Sequence, residues 1–228
     1  MLRIPMIIVN TKTYEQSNGK KAMELAKLCE EVVKETGTEI ALAVPAADIY
    51  PIVQATSIPV LAQHVDAVEY GSHTGAVIPE NIRDAGATGT LLNHSEKNLV
   101  FDDIEKSIQR CKSLGLMTVV CAGNQKQAQS LAMLSPEAVA VEPPELIGGD
   151  ISISTARPEV ITQTVNAIHH DGKCGIVLVG AGVKNAKDVS KSIELGAKGV
   201  LLASGVTKAK NPKEVLLDLA RGIQGTTT

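Results

Sequence analysis

Gly86-Ala-Thr-Gly-Thr-Leu-Leu92 and Gly196-Ala-Lys-Gly-Val-Leu-Leu202 are near copies of each other in a chain of 228 residues. Each combines a glycine-rich turn with a short apolar run, which is typical of a strand buried on both faces of a parallel sheet. Similar runs recur through the chain, with amphipathic segments between them, so eight strands are predicted. They lie near residues 4–9, 39–44, 60–63, 89–92, 117–121, 138–141, 175–179 and 199–202.

The order of these runs predicts the architecture. Amphipathic segments between strands are typical of parallel strands covered by crossover helices. Because the two copies fall on strands four and eight of eight such units, closure into a (β/α)8 barrel is favoured over an open, doubly wound sheet, which stays as the alternative. The chain shows no linker or low-complexity tract, so residues 1–228 are predicted to form a single domain.

Two helix starts can be predicted from capping patterns. The segment after the first strand has apolar residues at helical spacing, and Ser17 or Asn18 is predicted to cap it. After the eighth strand, Asn211-Pro212 predicts another helix start, because proline is favoured at the first helical position behind a capping side chain.

Composition argues against several classes of partner. The chain has 22 Lys and Arg against 25 Asp and Glu, a formal net charge of −3, so it offers no broad basic field for nucleic acid or a membrane surface. No apolar stretch approaches the roughly 20 residues of a membrane-spanning helix. The amino-terminal residues lack the pattern of a secretion signal, which predicts a cytoplasmic protein. The four cysteines form no CxxC pair and indicate neither a disulfide scaffold nor a metal site.

Polar or glycine-rich segments follow five of the predicted strands, at the ends where β/α barrels place their reacting groups. They are Asn10-Thr-Lys12, Asn93-His94-Ser95-Glu96, Glu142-Pro-Pro-Glu145, Gly180-Ala-Gly182 and Ala203-Ser-Gly205. A glycine-rich turn entering a helix offers backbone N–H groups and the positive end of the helix dipole, which together bind phosphate. The last two segments therefore predict a phosphate site. The alternative is that their glycines serve only tight turns.

Several motifs occur together in the order and spacing of one known family. Asn10-x-Lys12, His94-Ser95-Glu96-Lys97, Glu142-Pro with Ile147-Gly148, and Tyr70-Gly71-Ser72-His73-Thr74-Gly75 resemble the triosephosphate isomerase family, over nearly the whole chain. The resemblance implies a TIM barrel and an isomerase of glycolysis and gluconeogenesis. Such an enzyme interconverts dihydroxyacetone phosphate and D-glyceraldehyde 3-phosphate, with no cofactor and no metal.

The resemblance also implies catalytic roles by position. Glu142 would be the base that moves a proton between adjacent carbons, and His94 the electrophile. Asn10 would be a further donor and Lys12 the positive charge that the developing enediolate needs. The histidine of this family is a known case of a neutral imidazole whose pKa is lowered by a helix N-terminus. Residues 95–96 are accordingly expected to open a short helix beside His94.

Other residues are given supporting roles. We further hypothesise that Glu96 orients Lys12. Residues 143–149 are expected to form a lid, with rigid prolines at one end and permissive glycines at the other. Glu145 competes with Glu142 as base on spacing alone, but it falls inside the lid, whereas a base needs a rigid strand end. The residues implied to bind substrate or its phosphate are Asn10, Lys12, Ile147, Gly148, Gly182, Ala203 and Ser204.

The chain departs from the family pattern in places. It has no tryptophan, so Glu145 or Leu146 replaces the usual lid aromatic, and Asn93 stands where glycine commonly precedes the histidine. It is shorter than typical members and is similar to the compact archaeal-type form, which is associated with tetramers. The resemblance implies a homo-oligomer with a contact through loop 70–75, where Thr74 would touch the partner subunit's Asn10 and Lys12.

Other functions stay open, because many β/α barrels share such phosphate turns. One alternative is a sugar-phosphate epimerase or a lyase. An epimerase would normally place metal-ligating His and Asp at several strand ends, whereas only His94 lies at one. The other alternative is a non-catalytic phosphate-binding barrel. The remaining histidines, His64, His73, His169 and His170, are interpreted as loop or surface residues, and Cys121 as a packing residue.

Overall fold

A computed structural model of the protein describes residues 2–146, 152–171 and 174–225. In it, eight parallel strands close into a barrel in chain order, with the last strand paired to the first. The predicted barrel is thereby confirmed, and the open sheet is excluded. The strands are β1 (Met6–Asn10), β2 (Glu39–Val44), β3 (Val60–Ala62), β4 (Gly89–Leu92), β5 (Met117–Ala122), β6 (Ala138–Val141), β7 (Ile176–Val179) and β8 (Gly199–Leu202).

Helices cover the outside of the barrel between the strands. Short 3-10 helices add Glu15–Ser17 and Pro144–Leu146. None of the described helices is both long and apolar enough to cross a membrane. The α-helices are α1 (Lys20–Thr36), α2 (Ala46–Ala55), α3 (Pro79–Asp84), α4 (Phe101–Ser113), α5 (Gln125–Ala132), α6 (Ile153–Ala156), α7 (Pro158–Asp171), α8 (Ala186–Glu194), α9 (Ser204–Thr207) and α10 (Pro212–Gln224).

The core has two layers because successive side chains of a strand point to opposite faces. Met6 and Ile8 of β1 point into the barrel, where they pack with residues such as Leu61. Ile7 and Val9 of the same strand point outward into the layer between the sheet and the helices. Aromatic residues are only 2% of the chain, so aliphatic side chains fill both layers. This packing holds the carboxyl ends of the strands at fixed positions around one opening.

Glycine at the start of β4 and of β8 explains why the two copied stretches are alike. A Cβ atom on Gly89 would overlap a carbonyl oxygen of β5, and one on Gly199 would overlap a carbonyl oxygen of β1. Only glycine allows these neighbouring backbones to approach so closely. The repeated glycine therefore reflects the same steric requirement at opposite sides of the barrel.

The predicted cap of α1 is wrong. The helix begins at Lys20 behind Gly19, whose backbone N–H donates to Asp48 Oδ2 at 2.9 Å. Ser17 lies in a 3-10 helix, and its hydroxyl donates to the carbonyl of Thr11. Asn18 donates instead to the carbonyl of Tyr14. Both side chains hold the loop after β1, which sequence spacing could not distinguish from capping.

The predicted start of the last helix is confirmed. Asn211 precedes Pro212 at the start of α10, and its side chain accepts a hydrogen bond from the Glu214 backbone. The amide therefore satisfies one of the N–H groups that a helix start leaves without a partner in the helix.

An ion pair between α3 and α4 predicts a large stability effect. Glu80 is buried, with 2% of its surface exposed, and its carboxylate pairs with Arg110. Arg110→Ala would leave that carboxylate buried without its cation, so we expect a loss of about 3 kcal/mol in unfolding free energy. Urea denaturation measures this loss. Lys112→Ala on the exposed face of α4 is the control, and an equal effect of both substitutions would contradict the prediction.

Candidate active site

One opening at the carboxyl end of the barrel collects most of the predicted site residues. It is lined by Asn10, Lys12, Tyr14, His94, Glu142, Gly180, Gly182, Val183, Lys184 and residues 201–205. Ala203 and Ser204 belong to that last range. Ile147 and Gly148, and the side chains of His169 and His170, lie outside the described residues. Strands that are far apart in the chain therefore place their terminal polar residues around one space.

The loop after β1 holds Lys12 in an uncommon backbone conformation, with φ 48°. Its N–H donates to Asn10 Oδ1 at 2.9 Å, a local hydrogen bond that asparagine often makes two residues along the chain. Gln63 supports the same loop, because its Nε2 donates to Asn10 Oδ1 at 3.1 Å and to the Lys12 carbonyl at 3.0 Å. Non-glycine residues with positive φ are uncommon. Such a strained conformation persists only where contacts with the surrounding structure hold it, as the contacts of Gln63 do here.

Sequence reasoning missed Gln63. The sequence predicts Gln63 only as the end of a strand, whereas the structure ends β3 one residue earlier, at Ala62. A polar residue directly after a buried run, at the carboxyl end of a barrel strand, was the signal that could have found it.

Lys12 and Glu96 form a close ion pair. Lys12 Nζ lies 2.6 Å from Glu96 Oε1, and the lysine side chain is only 10% exposed while that of Glu96 is 58% exposed. The ion pair joins the loop after β1, which carries Lys12, to the loop after β4, which carries Glu96. This is the contact that the hypothesis of Glu96 orienting Lys12 requires.

His94 is held so that one ring nitrogen faces the opening. Its Nδ1 accepts the backbone N–H of Glu96 at 3.1 Å, so in the neutral imidazole the proton lies on Nε2. Burial lowers the pKa of His94, and the Lys12 charge lowers it further, against an opposing effect of Glu96. Residues 95–97 form a turn, closed by the Lys97 N–H on the His94 carbonyl, and the expected short helix does not form.

Glu142 stands at a rigid position, directly after β6. Its backbone N–H donates to the Ala122 carbonyl of β5 at 2.8 Å, and the residue is 3% exposed. The Oε2 atom has no hydrogen-bond partner among the described residues and lies 3.7 Å from His94 Nε2. Burial raises the pKa of Glu142 to about 8, although the adjacent Cys121 thiol and the Lys12 charge act in the opposite direction.

Glu145, the rival candidate on spacing, lies elsewhere. It belongs to the 3-10 helix Pro144–Leu146, is exposed, and pairs with Arg157. It does not line the opening that contains His94. The geometry therefore favours Glu142 as the carboxylate that can act beside the imidazole.

Gly180, at the end of β7, makes room for the Glu142 side chain. A Cβ atom at this position would collide with Glu142 Cγ and come within 2.9 Å of Oε1. We expect Gly180→Ala to displace the carboxylate and to lower kcat about a hundredfold, because small displacements of a reacting group are costly. Gly175→Ala, just before the same strand, is the control, since apart from its chain neighbours no described residue lies within 4 Å of its Cβ position. Steady-state kinetics measure kcat for both variants. Equal activities would show that the Glu142 side chain does not need the space left by Gly180.

The turns after β7 and β8 form another wall of the opening. Gly182 and Val183 precede α8, and residues 203–205 run into α9. Tyr14 lines the same opening, and the Lys208 ammonium lies 4.1 Å from the centre of its ring. Backbone from two adjacent strand ends and nearby lysines thus make this wall suited to an anion.

A model of the triosephosphate isomerase family matches residues 5–222. The chain belongs to the triosephosphate isomerase family. The resemblance inferred from the motifs at the strand ends is confirmed, and the match includes nearly all the residues that form the barrel.

Similar proteins named triosephosphate isomerase occur in several organisms. The protein of Methanocaldococcus jannaschii is 48% identical over 96% of this chain and 100% of its own. That of Methanothermobacter thermautotrophicus is 49% identical over 94% of each chain. The crystal structure of triosephosphate isomerase from Bartonella henselae has a TM-score of 0.73 and 16% identity, covering 96% of this chain and 97% of its own. At that identity, the crystal structure supports the fold alone.

Proposed function

We propose that this protein interconverts dihydroxyacetone phosphate and D-glyceraldehyde 3-phosphate, in glycolysis and gluconeogenesis. The observation that carries the proposal is the pairing of a buried carboxylate with an imidazole, Glu142 Oε2 and His94 Nε2 being 3.7 Å apart in an opening that Asn10 and Lys12 also line. The reaction moves a proton between adjacent carbons and is redox-neutral, so its atoms and electrons balance without a cofactor.

Each side chain has a role in this scheme. The Glu142 carboxylate removes a proton from the carbon next to the carbonyl, and negative charge develops on the carbonyl oxygen. The Nε2–H group of neutral His94 donates to that oxygen, with Asn10 as a further donor and Lys12 as the stabilising cation. Glu142, now protonated, returns a proton to the former carbonyl carbon. His94 passes its Nε2 proton to the former carbonyl oxygen and takes up the proton of the neighbouring hydroxyl group, which becomes the new carbonyl, and this completes the isomerisation.

Phosphate binding is proposed for backbone groups at the wall formed by the β7 and β8 turns. Gly182, Ala203 and Ser204 line the opening there. Ile147 and Gly148 would complete the contacts from the lid, residues 143–149, as it closes over the substrate. A closed lid excludes water, which strengthens the electrostatic interactions inside the site and protects the enediolate intermediate.

Assembly and location are part of the same proposal. We infer a single domain over residues 1–228 that acts as a cytoplasmic homotetramer. Loop 70–75 is exposed over nearly its whole length, and Tyr70 is 67% exposed, as a contact loop would be in an isolated subunit. In the assembly, Thr74 of one subunit would reach the partner subunit's Asn10 and Lys12.

A coupled assay of glyceraldehyde 3-phosphate isomerisation tests the proposed function. The proposal predicts rapid turnover of the wild-type protein and competitive inhibition by inorganic phosphate. A protein that binds phosphate without isomerising the triose would support the non-catalytic barrel instead. Turnover of a pentose phosphate in its place would support the epimerase.

A further inference from the structure

Asn93 joins β4 to the loop that carries His94, in a backbone conformation that few residues adopt. Its φ is 57°, in the left-handed region, where asparagine is tolerated better than most side chains. The residue is only 5% exposed, yet it is not among the residues that line the opening. Its side chain therefore acts from behind the site, without touching a bound substrate.

The Asn93 amide makes two hydrogen bonds that close the His94 loop. Its Nδ2 donates to the Cys121 carbonyl in β5 at 2.9 Å. Its Oδ1 accepts the backbone N–H of Leu99, two residues before α4, at 3.0 Å. One side chain thus joins the end of a neighbouring strand to the far end of the loop formed by residues 94–98.

That loop contains the atoms that fix the imidazole. The Glu96 N–H holds His94 Nδ1, and the Lys97 N–H closes a turn on the His94 carbonyl. A shift of the loop would move both N–H groups and therefore the His94 imidazole, whose ring and backbone they hold. The loop also carries the Glu96 carboxylate that pairs with Lys12.

The Cys121 contact links the same amide to the base. Cys121 is buried, and its thiol lies against the Glu142 carboxylate, with both residues lining a cavity next to the opening. Asn93 also lines that cavity. Asn93 therefore holds the backbone of Cys121, the residue whose side chain lies against the Glu142 carboxylate.

We propose that Asn93 is a positioning residue, which sets the distance between His94 Nε2 and Glu142 Oε2 by tying the His94 loop to Cys121. The proposal rests on the isomerase function and deepens it. Glycine at this position would allow the backbone conformation but would make neither side-chain bond. Asparagine supplies both the conformation and the two contacts.

Asn93→Gly and Asn93→Asp separate these contributions. Glycine keeps the left-handed backbone and loses both hydrogen bonds, whereas aspartate keeps the acceptor for Leu99 and loses the donor to Cys121. Ser135→Gly is the matched control, because Ser135 has φ 58° but does not line the opening or the adjacent cavity.

The expected result is a change in kcat with little change in ligand binding. In Asn93→Gly we expect kcat to fall about ten- to a hundredfold, since a small misplacement of reacting groups has effects of this size. KM for glyceraldehyde 3-phosphate and the inhibition constant of inorganic phosphate should change by less than about threefold, because the phosphate wall lies on other strands. Asn93→Asp, which cannot donate to the Cys121 carbonyl, should lose a similar factor, and Ser135→Gly none. A wild-type kcat in Asn93→Asp would overturn the role of the Cys121 contact.

A spectroscopic measurement keeps this test independent of turnover. The His94 imidazole, which faces Lys12, Glu96 and Glu142, is followed by NMR, and Asn93→Gly should move its titration towards the ordinary value as the loop loosens. Lower melting temperatures with unchanged kcat and unchanged His94 signals would show a purely structural role and overturn the proposal. An inactive wild-type protein would refute the proposed function, while the His94 signals would still decide the role of Asn93.

Discussion

Glu142→Gln should lower kcat by about a hundredfold to ten-thousandfold, because a positioned general base contributes a factor of this size. Glutamine has nearly the same shape but cannot accept the proton that the carboxylate removes. Coupled assays of both reaction directions measure the loss. Glu145→Gln is the matched control, since that carboxylate is exposed and lies outside the opening. If Glu145→Gln instead abolished activity and Glu142→Gln did not, the base would have been assigned to the wrong residue.

The same Glu142→Gln substitution should raise stability. The pKa of Glu142 is raised from 4.5 to about 8 in the folded protein, so the charged carboxylate is disfavoured by folding. The cost is absent below the unfolded pKa, grows as pH rises from 4.5 and is complete above about 8. At pH 7 we expect the variant to gain on the order of 3 kcal/mol in unfolding free energy. Urea denaturation at pH 4 and pH 7 checks the sign, because the gain should appear only at the higher pH.

The pH dependence of kcat/KM is the second large effect. The base must be ionised in the free enzyme, so kcat/KM should rise about tenfold per pH unit below the pKa of Glu142 and level off above it. Because burial raises that pKa to about 8, the midpoint should lie well above 4.5 and towards 8. Burial lowers the pKa of His94 from its ordinary value of 6.5, so above that pH the imidazole is mostly neutral and adds no further limb.

Measurements between pH 6.5 and 9.5 keep the phosphate of the substrate largely in one ionic form, since phosphate esters titrate near pH 6. Glu142→Gln is the control, because its residual activity should lack the rising limb. A wild-type profile that is flat across this range would mean that burial does not hold the carboxyl in its protonated form.

Much of the fold was predictable because the apolar strand runs and the amphipathic segments between them both indicate a β/α barrel. The strands are apolar on both faces, so the runs at 89–92, 138–141 and 199–202 match the observed strands at both ends. The start of α10 follows from chemistry local to Asn211 and Pro212. The start of α1 does not, because the roles of Ser17 and Asn18 depend on carbonyls in a loop whose path spacing does not describe.

The site residues likewise divide into those that the sequence predicts and those that only the structure shows. Asn10, Lys12, His94 and Glu142 could be placed because barrels direct the residues at strand ends to one opening. The supports of these residues depend on three-dimensional contacts. Gln63 reaches the loop after β1 across the intervening strand β2, and Gly180 matters through the space that it leaves for Glu142. The lid residues Ile147 and Gly148 remain a prediction from the resemblance alone.

The most direct test of the central claim is isomerisation in heavy water. If Glu142 shuttles a proton through an enediolate, the proton on its carboxyl can exchange with solvent before it is returned. Product formed by the wild-type protein should then carry deuterium at the carbon that receives the proton, as detected by NMR, and Glu142→Gln should form labelled product far more slowly. Rapid isomerisation without deuterium in the product, at the same rate in the wild-type protein and in Glu142→Gln, would indicate direct hydrogen transfer between the carbons and would contradict the role of Glu142.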